Sequence, residues 1–160
     1  MAKKSTSGKS AGKKSAKVYF TTPNGAQFLG DPLPYPISRA VRAGDFVITS
    51  AFGDRIMGPD AVYDAQGLPL PTGARRAAVT FPEEVHGTFK SVIDALALAD
   101  CTLDDVVDSQ VWLRDPRDFH EMNRIYKTYF TKSRPIRSVF QNHFMFEFRI
   151  EIKVVAYKPQ

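Results

Sequence analysis

Apolar residues recur at helical spacing in two stretches of the chain. Residues 81–99 follow a possible cap at Thr80, carry Pro82 in the first turn and hold one apolar stripe; residues 118–130 hold another. This spacing predicts two amphipathic helices, each with one buried face. The predicted buried positions are Val85, Phe89, Val92, Ile93 and Leu96 in the first helix, and Phe119, Met122, Ile125, Tyr126 and Tyr129 in the second.

Shorter runs alternate between apolar and polar residues or are rich in β-branched side chains, which is typical of strands. Residues 37–42 and 45–50 flank Gly44 and predict a hairpin. The second of these runs is almost entirely apolar or β-branched around Phe46 to Thr49, so we expect it in the centre of a sheet. The remaining predicted strands are residues 106–113, 138–144 and 149–157.

Two stretches lack a clear period. Residues 18–36 are rich in proline, glycine and aromatic residues and are interpreted as an irregular lead-in whose aromatic side chains pack onto the body. Residues 51–74 contain several glycines and prolines and predict a long connection. A connection of that length in a compact domain is usually functional, or else it hides a further strand.

The order of these elements, β-β-(β)-α-β-α-β-β, predicts an α+β fold. Two helices are expected to cover one face of a mostly antiparallel sheet, as in a sandwich. The other face then needs a different cover, since Val111, Leu113 and Val155 are poorly suited to solvent. Oligomerisation is the natural way to bury it.

Charge divides the chain into a short tail and a longer body. Residues 1–17 contain six of the 22 basic residues and no acid, which leaves 16 basic against 17 acidic residues in the remainder. The tail is predicted to be disordered because its Lys, Ser, Gly and Ala residues bury little apolar area. Residues 18–160 are expected to form a single domain. Its near-neutral charge makes nucleic acid an unlikely partner except weakly through the tail.

Cysteine content and hydropathy bear on location. Cys101 is the only cysteine, so no internal disulfide can form, and no Cys/His cluster has zinc-site spacing. No apolar run approaches the roughly 20 residues that span a bilayer. The lysine-containing N-terminus has no apolar segment typical of a secretory signal. We expect a cytoplasmic protein that does not enter a membrane.

Arg137 is the strongest candidate for a residue of a functional site. It follows Arg134 and Pro135, just after the second predicted helix and just before a strand. A guanidinium presents a planar fork of donors that matches a carboxylate. Glu151, on the last predicted strand, is a candidate to move protons or position water. The alternatives are a surface or ion-pairing role for Arg137 and a salt bridge of Glu151 with a basic neighbour on its strand.

The chain resembles the reactive intermediate deaminase (Rid, or YjgF) family in three elements that occur in the family's order. The Arg134-Pro135-Ile136-Arg137-Ser138 segment, with the strand around Glu151, is the most specific. The other two are Pro36 to Val41 with Ala43 to Ser50, and Leu103 to Val107 followed by Asp118-Phe119, Met122-Asn123, Tyr126 and Tyr129-Phe130.

This resemblance implies a chorismate-mutase-like sandwich that assembles as a homotrimer, with the sheets forming a central barrel and the sites lying between subunits. The implied activity is hydrolysis of reactive imines and enamines, such as 2-iminobutanoate and 2-aminoacrylate, to 2-keto acids and ammonia, with no metal and no organic cofactor. The substrate is a small acid that bears a carboxylate.

The resemblance also implies roles for individual residues. Arg137 would hold the substrate carboxylate, and Glu151 would position water or move protons. Ser50 and Asn123 would line the pocket, and backbone groups near Ala51 and Val139 would complete it.

Three departures from the family pattern lie near this expected pocket. Ile37 stands where the family often has a tyrosine, Ala51 and then Phe52 follow Ser50 in place of glycine, and residues 143–149 replace a usual loop. They predict a more apolar cleft. The alternatives are therefore a deaminase for a larger unsaturated amino acid, such as 2-aminomuconate, or a trimer that binds small acids without turnover. Cleavage of single-stranded RNA is a weaker alternative.

Overall fold

A computed structural model of the chain describes residues 17–32, 36–54, 79–144 and 148–160. Within these ranges a seven-stranded sheet has the order β1-β2-β3-β4-β7-β5-β6. Every neighbouring pair is antiparallel except β5 and β6, which are parallel. The strands are β1 (Val18–Thr21), β2 (Gln27–Leu29), β3 (Ala40–Ala43), β4 (Phe46–Thr49), β5 (Val106–Leu113), β6 (Ile136–Gln141) and β7 (Ile150–Tyr157). The helices are α1 (Phe81–Ala97) and α2 (Phe119–Tyr129), and short 3-10 turns precede β5 and α2.

The start of α1 is fixed by a reciprocal cap. The Thr80 hydroxyl accepts from the Glu83 N–H, and the Glu83 carboxylate accepts from the Thr80 N–H at 2.8 Å. The predicted stripe of α1 is confirmed except at Ile93, which is 38% exposed. In α2, Met122, Ile125 and Tyr126 are buried, but Phe119 in the first turn is 37% exposed. Both exceptions lie at the margin of the stripe, where the helix turns away from the sheet.

Burial alternates along the central strands and shows which face the helices cover. In β5 the residues Ser109, Val111 and Leu113 are buried, and in β7 Ile150, Ile152 and Val154 are buried with the helix residues in one core. The prediction that two helices cover one face of a mostly antiparallel sheet is thus confirmed.

The other face of the sheet, the open face, is not covered by any described helix or strand. The expectation that Val111 and Leu113 belong to it is wrong, because both point into the core; Val155 does lie on it. The predicted alternation of inward and outward residues in β5 is therefore one residue out of phase with the observed one. The open face is nevertheless apolar, with partly or largely exposed side chains of Phe46, Ile48, Trp112, Ile136, Phe140 and Tyr157.

Several boundaries differ from the sequence predictions. Residues 18–36 are not wholly irregular, since β1 and β2 form a hairpin that extends the sheet beyond β3. Its turn closes through Thr22 N–H to the Ala26 carbonyl at 2.9 Å, with Gly25 at a φ of 84°. The Asn24-Gly25 pair was the signal for it. β3 and β6 begin at Ala40 and Ile136 rather than at the predicted residues 37 and 138.

The remaining predictions concern other parts of the chain. β4 lies between β3 and β7, as its apolar sequence predicted. Most of the predicted tail, residues 1–16, and most of the predicted connection, residues 55–74, lie outside the described residues. No helix in the described ranges is long and apolar enough to cross a membrane.

Candidate active site

Arg137 lies on β6, the strand at one edge of the sheet, and is half-buried. It pairs in register with Ser109, a buried residue of the helix-covered face. The Arg137 guanidinium carbon sits over the Tyr126 ring of α2, 4.5 Å from the ring centroid. Within the described residues, Arg137 makes no hydrogen bond and no ion pair. Its in-plane N–H donors are therefore available to an oxygen anion.

Two other arginines show what a structural role looks like in this chain. Arg42 is 6% exposed and donates to the Lys158 carbonyl at 3.0 Å and the Ala99 carbonyl at 2.9 Å. Arg149 donates to the buried Glu84 carboxylate at 2.5 Å and to the Val79 carbonyl at 2.8 Å. Their donors join distant segments of the chain. Arg137 joins no such segments by hydrogen bonds among the described residues.

The ring beneath Arg137 is firmly held. Tyr126 stacks on Phe130 at 4.6 Å with 28° between the ring planes, and Phe89 of α1 meets it edge-on at 5.6 Å. The Tyr126 and Ser109 hydroxyls are buried and make no hydrogen bond of normal geometry. Burial raises the pKa of Tyr126, and the proximity of Ser109 and Arg137 lowers it by less. The phenol therefore stays protonated at neutral pH.

Two more predicted site residues lie beside Arg137. Val139 is two residues further along β6, so it shares a side of that strand with Arg137, and it packs against the core. Asn123 is half-buried and lies one turn before Tyr126 on α2, which makes these two side chains neighbours. We call Arg137, Val139, Asn123 and Tyr126 the arginine group. It occupies the junction between α2 and the edge strand.

Glu151 projects from the open face of the sheet. On β7 it alternates with the buried Ile150 and Ile152, and it pairs in register with Trp112. Burial raises the pKa of the Glu151 carboxyl and is the only cause of the shift. A carboxyl of this kind holds its proton to a higher pH than a solvated one, which suits an acid or base in catalysis.

Ser50 and Ala51 form a β-bulge beside β7. Ile48 pairs with Val155 and Phe52 with Ile152, so β7 spans this interval with one residue fewer than the strand beside it. The Ser50 hydroxyl donates to the Ser38 carbonyl at 2.7 Å. The Ala51 N–H has no hydrogen-bond partner among the described residues. Bulges of this kind re-aim backbone and side-chain groups and are frequent at active sites.

The bulge lies near two of the other predicted residues. Ile37 is 40% exposed and precedes Ser38, which holds Ser50 in place. Glu151 precedes Ile152, the residue of β7 at which pairing resumes after the bulge. We call Ile37, Ser50, Ala51 and Glu151 the bulge group. All seven residues predicted for the site thus belong to one of the two groups.

The two groups are separated within one chain. β5 lies between β6 and β7, so Arg137 and Glu151 stand on strands about 10 Å apart, given the usual spacing of roughly 4.8 Å between neighbouring strands. Their side chains also point to opposite faces of the sheet. The single chain therefore does not bring the two predicted catalytic residues into one pocket.

Some sequence-based interpretations need correction. Arg149 is one of the basic neighbours considered as a salt-bridge partner of Glu151, but it binds Glu84 instead. Phe52 and Phe148 were expected to make the cleft more apolar; they are 5% and 4% exposed and belong to the interior. Residues 145–147 of the same departing segment lie outside the described residues.

The structure also adds a residue to the site. The sequence predicts Tyr126 on the apolar side of α2 and within a segment that resembles the family, but no local pattern links it to Arg137, eleven positions later. The described residues hold no group of three or more His, Cys, Asp or Glu side chains positioned for a metal ion.

Comparisons with known proteins bear on the family and the fold. The family model described as Endoribonuclease L-PSP matches residues 34–158. A RutC family protein of Pyrococcus horikoshii is 27% identical over 125 residues, which are 77% of this chain and 87% of that protein. The human 2-iminobutanoate/2-iminopropanoate deaminase is 33% identical over 87 residues, which are 54% of this chain and 64% of the enzyme.

The crystal structure of yeast Mmf1 shares the fold. It has a TM-score of 0.62 and 24% sequence identity, and the match covers 79% of this chain and 90% of Mmf1. The matched family model covers β3 to β7 and both helices, and it includes Arg137 and Glu151. The chain therefore belongs to the endoribonuclease L-PSP family, which is the YjgF or Rid family that its sequence resembles.

Proposed function

We propose that this protein is a hydrolytic deaminase of small imine and enamine acids, of the 2-iminobutanoate and 2-aminoacrylate type, and that it releases 2-keto acids and ammonia. The observation that carries the proposal is Arg137: a half-buried guanidinium whose donors are used by no other described residue. Family membership and the name of the human relative support the same chemistry.

The substrate class follows from what a guanidinium recognises. A 2-imino acid carries a carboxylate on the carbon next to its C=N bond, so a bidentate contact with Arg137 fixes both the position and the orientation of the reactive carbon. A charge-assisted contact of this kind contributes roughly 1.5–3 kcal/mol. Positioning contributes much of the catalysis because the imine is already electrophilic.

Glu151 supplies the proton transfers in this proposal. Water adds to the imine carbon while the nitrogen gains a proton, which gives a carbinolamine. A proton then passes from the carbinolamine hydroxyl to its amino nitrogen, the C–N bond breaks, and ammonia leaves as the C=O bond forms. An enamine substrate first takes up a proton on carbon to become the imine. A carboxyl whose pKa is raised by burial is suited to donate and accept these protons.

We propose that the site is completed by a second copy of the chain, in a homotrimer with sites between subunits. The arginine group of one chain would meet the bulge group of its neighbour, because neither group contains both catalytic residues. Two features support this arrangement. β6 is the edge strand of the sheet that the described residues form, and Ile136 and Phe140 on its open side are 73% and 48% exposed. Such apolar surface is suited to an interface.

A small substrate is favoured over a larger one such as 2-aminomuconate. The larger substrate was suggested by aromatic residues in the cleft, but Phe52 and Phe148 are buried in the interior. Ile37 remains a departure that adds apolar surface near the bulge. An isoleucine is smaller than a tyrosine and lacks its hydroxyl, so Ile37 still supports the alternative of a longer substrate.

The test uses an imine made in place. A dehydratase generates 2-iminobutanoate from threonine, semicarbazide traps the imine that remains, and the purified protein is added. We expect faster loss of the imine, with kcat/KM lowered about 10- to 150-fold in Arg137→Ala. Arg134→Ala, an exposed arginine three positions earlier, is the matched control and should keep full activity.

Two outcomes would overturn the proposal. One is decay of the imine at the rate of buffer alone. The other is an unchanged kcat/KM in Arg137→Ala. Tight binding of 2-oxobutanoate without turnover would instead select a small-acid binding protein, and cleavage of single-stranded RNA by the same preparation, lost in Arg137→Ala, would select a nuclease.

A further inference from the structure

The geometry points to Tyr126 as a positioning residue for Arg137: its aromatic ring, not its hydroxyl, holds the guanidinium in place for the substrate carboxylate. This inference rests on the proposed function, since it concerns the same site. It assigns a role to a core residue of α2 that contacts no substrate atom in the proposed mechanism.

Aromatic side chains pack around the Tyr126 ring on which Arg137 rests. Phe130, four residues later, stacks on Tyr126 at 4.6 Å, and Phe89 contacts it edge-on from α1. Tyr126 itself is only 8% exposed. Phe130 stacks on this ring, and the Arg137 guanidinium lies 4.5 Å from the ring centroid, so the ring determines the position of the guanidinium charge. An arginine side chain has many rotamers, and such a platform selects among them.

An aromatic platform has a property that an acidic partner lacks. A carboxylate that paired with Arg137 would occupy its N–H donors and cancel its charge, so it would compete with the substrate. A ring attracts the cation through its face and leaves the in-plane donors and the charge free. No described acid pairs with Arg137, whereas Arg149 is held by Glu84. Arg137 is thus held in a way that leaves its donors open to a substrate, whereas Arg149 is held in a structural ion pair.

The kinetic test compares three variants in the assembled protein. In Tyr126→Leu we expect KM for 2-iminobutanoate to rise about three- to thirtyfold, the range of a cation–π contact, with kcat within about twofold. Tyr126→Phe keeps the ring and should keep KM within about twofold. Tyr129→Leu is the matched control, because Tyr129 lies on the same helix and stacks on Phe89 at 3.9 Å, whereas the Arg137 guanidinium lies over the Tyr126 ring.

A double-mutant cycle separates positioning from general damage to the fold. If Tyr126 acts through Arg137, Tyr126→Leu should change kcat/KM little when it is added to Arg137→Ala. Equal losses in the presence and absence of Arg137 would overturn the inference. So would a KM in Tyr126→Phe as high as that in Tyr126→Leu, or a similar rise in Tyr129→Leu.

An NMR measurement tests the geometry without any activity. Protons at the end of the Arg137 side chain should show an upfield ring-current shift that persists in Tyr126→Phe and is lost in Tyr126→Leu. If Arg137→Ala leaves catalysis unchanged while the shift is present, the proposed function fails although the contact exists. If Arg137→Ala impairs catalysis and the shift is absent in the wild type, the inference about Tyr126 fails alone.

Discussion

Arg137 and Glu151 project from opposite faces of one sheet, on strands that are separated by β5. Arg137 lies towards α2, over the Tyr126 ring, whereas Glu151 lies on the open face across from Trp112. Side chains on opposite faces cannot meet around one small molecule unless another chain contributes. The position of these two residues is therefore the physical reason to expect a shared site.

Complementation between two inactive variants tests the shared site. Arg137→Ala and Glu151→Gln should each be nearly inactive alone. When the two chains are refolded together in equal amounts, about a quarter of the sites should combine an intact Arg137 with an intact Glu151 from a neighbour, if subunits mix at random in a closed ring. Recovery of roughly that share of wild-type activity is expected.

The control for complementation is refolding of each variant alone under the same conditions. Mixtures that stay inactive, although differently tagged subunits copurify, would place both residues in one chain's site. A monomeric protein in solution would remove the basis of the prediction altogether.

Glu151 should make the folded protein less stable as pH rises. Burial raises the pKa of its carboxyl above the ordinary value of 4.5, so the folded state binds the proton more tightly than the unfolded state. Stability then falls as pH increases from the ordinary pKa to the raised one. In Glu151→Gln this dependence should vanish, and the variant should be more stable than wild type at pH 7.

The pH dependence is measured from the free energy of unfolding at fixed protein concentration between pH 4 and pH 8. Glu121→Gln is a control of opposite sign, because the hydrogen bond from Arg124 lowers the pKa of Glu121. A Glu151→Gln curve parallel to that of the wild type would show that burial does not act on this carboxyl as stated.

Most of the fold could be predicted from local patterns. The Thr80 cap, the stripe from Val85 to Leu96 and the apolar run of β4 are each set by spacing and residue type within a few positions. The hairpin of β1 and β2 was missed, although Asn24 and Gly25 gave the signal for its turn. The prediction of which β5 residues face the helices was wrong, because polar and apolar residues alternate only weakly along this eight-residue strand.

The candidate site could be predicted only in part. Arg137 and Glu151 stand out through their residue types and through the resemblance to the family. Their positions relative to each other depend on the order of the strands, which places β7 between β4 and β5. The ring under Arg137 and the pairing of Glu84 with Arg149, 65 positions apart, arise from tertiary packing. No spacing within one element encodes such contacts.

The ion pair between Glu84 and Arg149 should be a large contributor to stability. Glu84 is 3% exposed and accepts from the Arg149 backbone N–H at 2.7 Å and from its guanidinium. Glu84→Ala leaves both donors without this acceptor, so we expect a loss of about 3–5 kcal/mol in the free energy of unfolding. Chemical denaturation monitored by circular dichroism measures this free energy.

The exposed pair of Glu121 with Arg124 provides the control, and Glu121→Ala should change the free energy of unfolding little. A similar effect of both variants would contradict the structural role of Glu84.

Gly53 should tolerate no larger side chain, because the Phe148 ring packs directly against it. A Cβ at Gly53 would overlap that ring, and Phe148 is only 4% exposed, so the ring has little room to move. Gly53→Ala should cost about 1–3 kcal/mol through overpacking.

The contact itself is tested by coupling. Phe148→Leu removes the ring edge that faces Gly53, so Gly53→Ala should cost clearly less in that background than in the wild type. The free energies of unfolding of the four proteins give the coupling energy directly. Because the Gly53 segment pairs with β7 just beyond the Ser50–Ala51 bulge, a large coupling would also mean that Phe148 braces the strand that carries Glu151. Equal costs in the two backgrounds would show that Phe148 does not limit the space at Gly53.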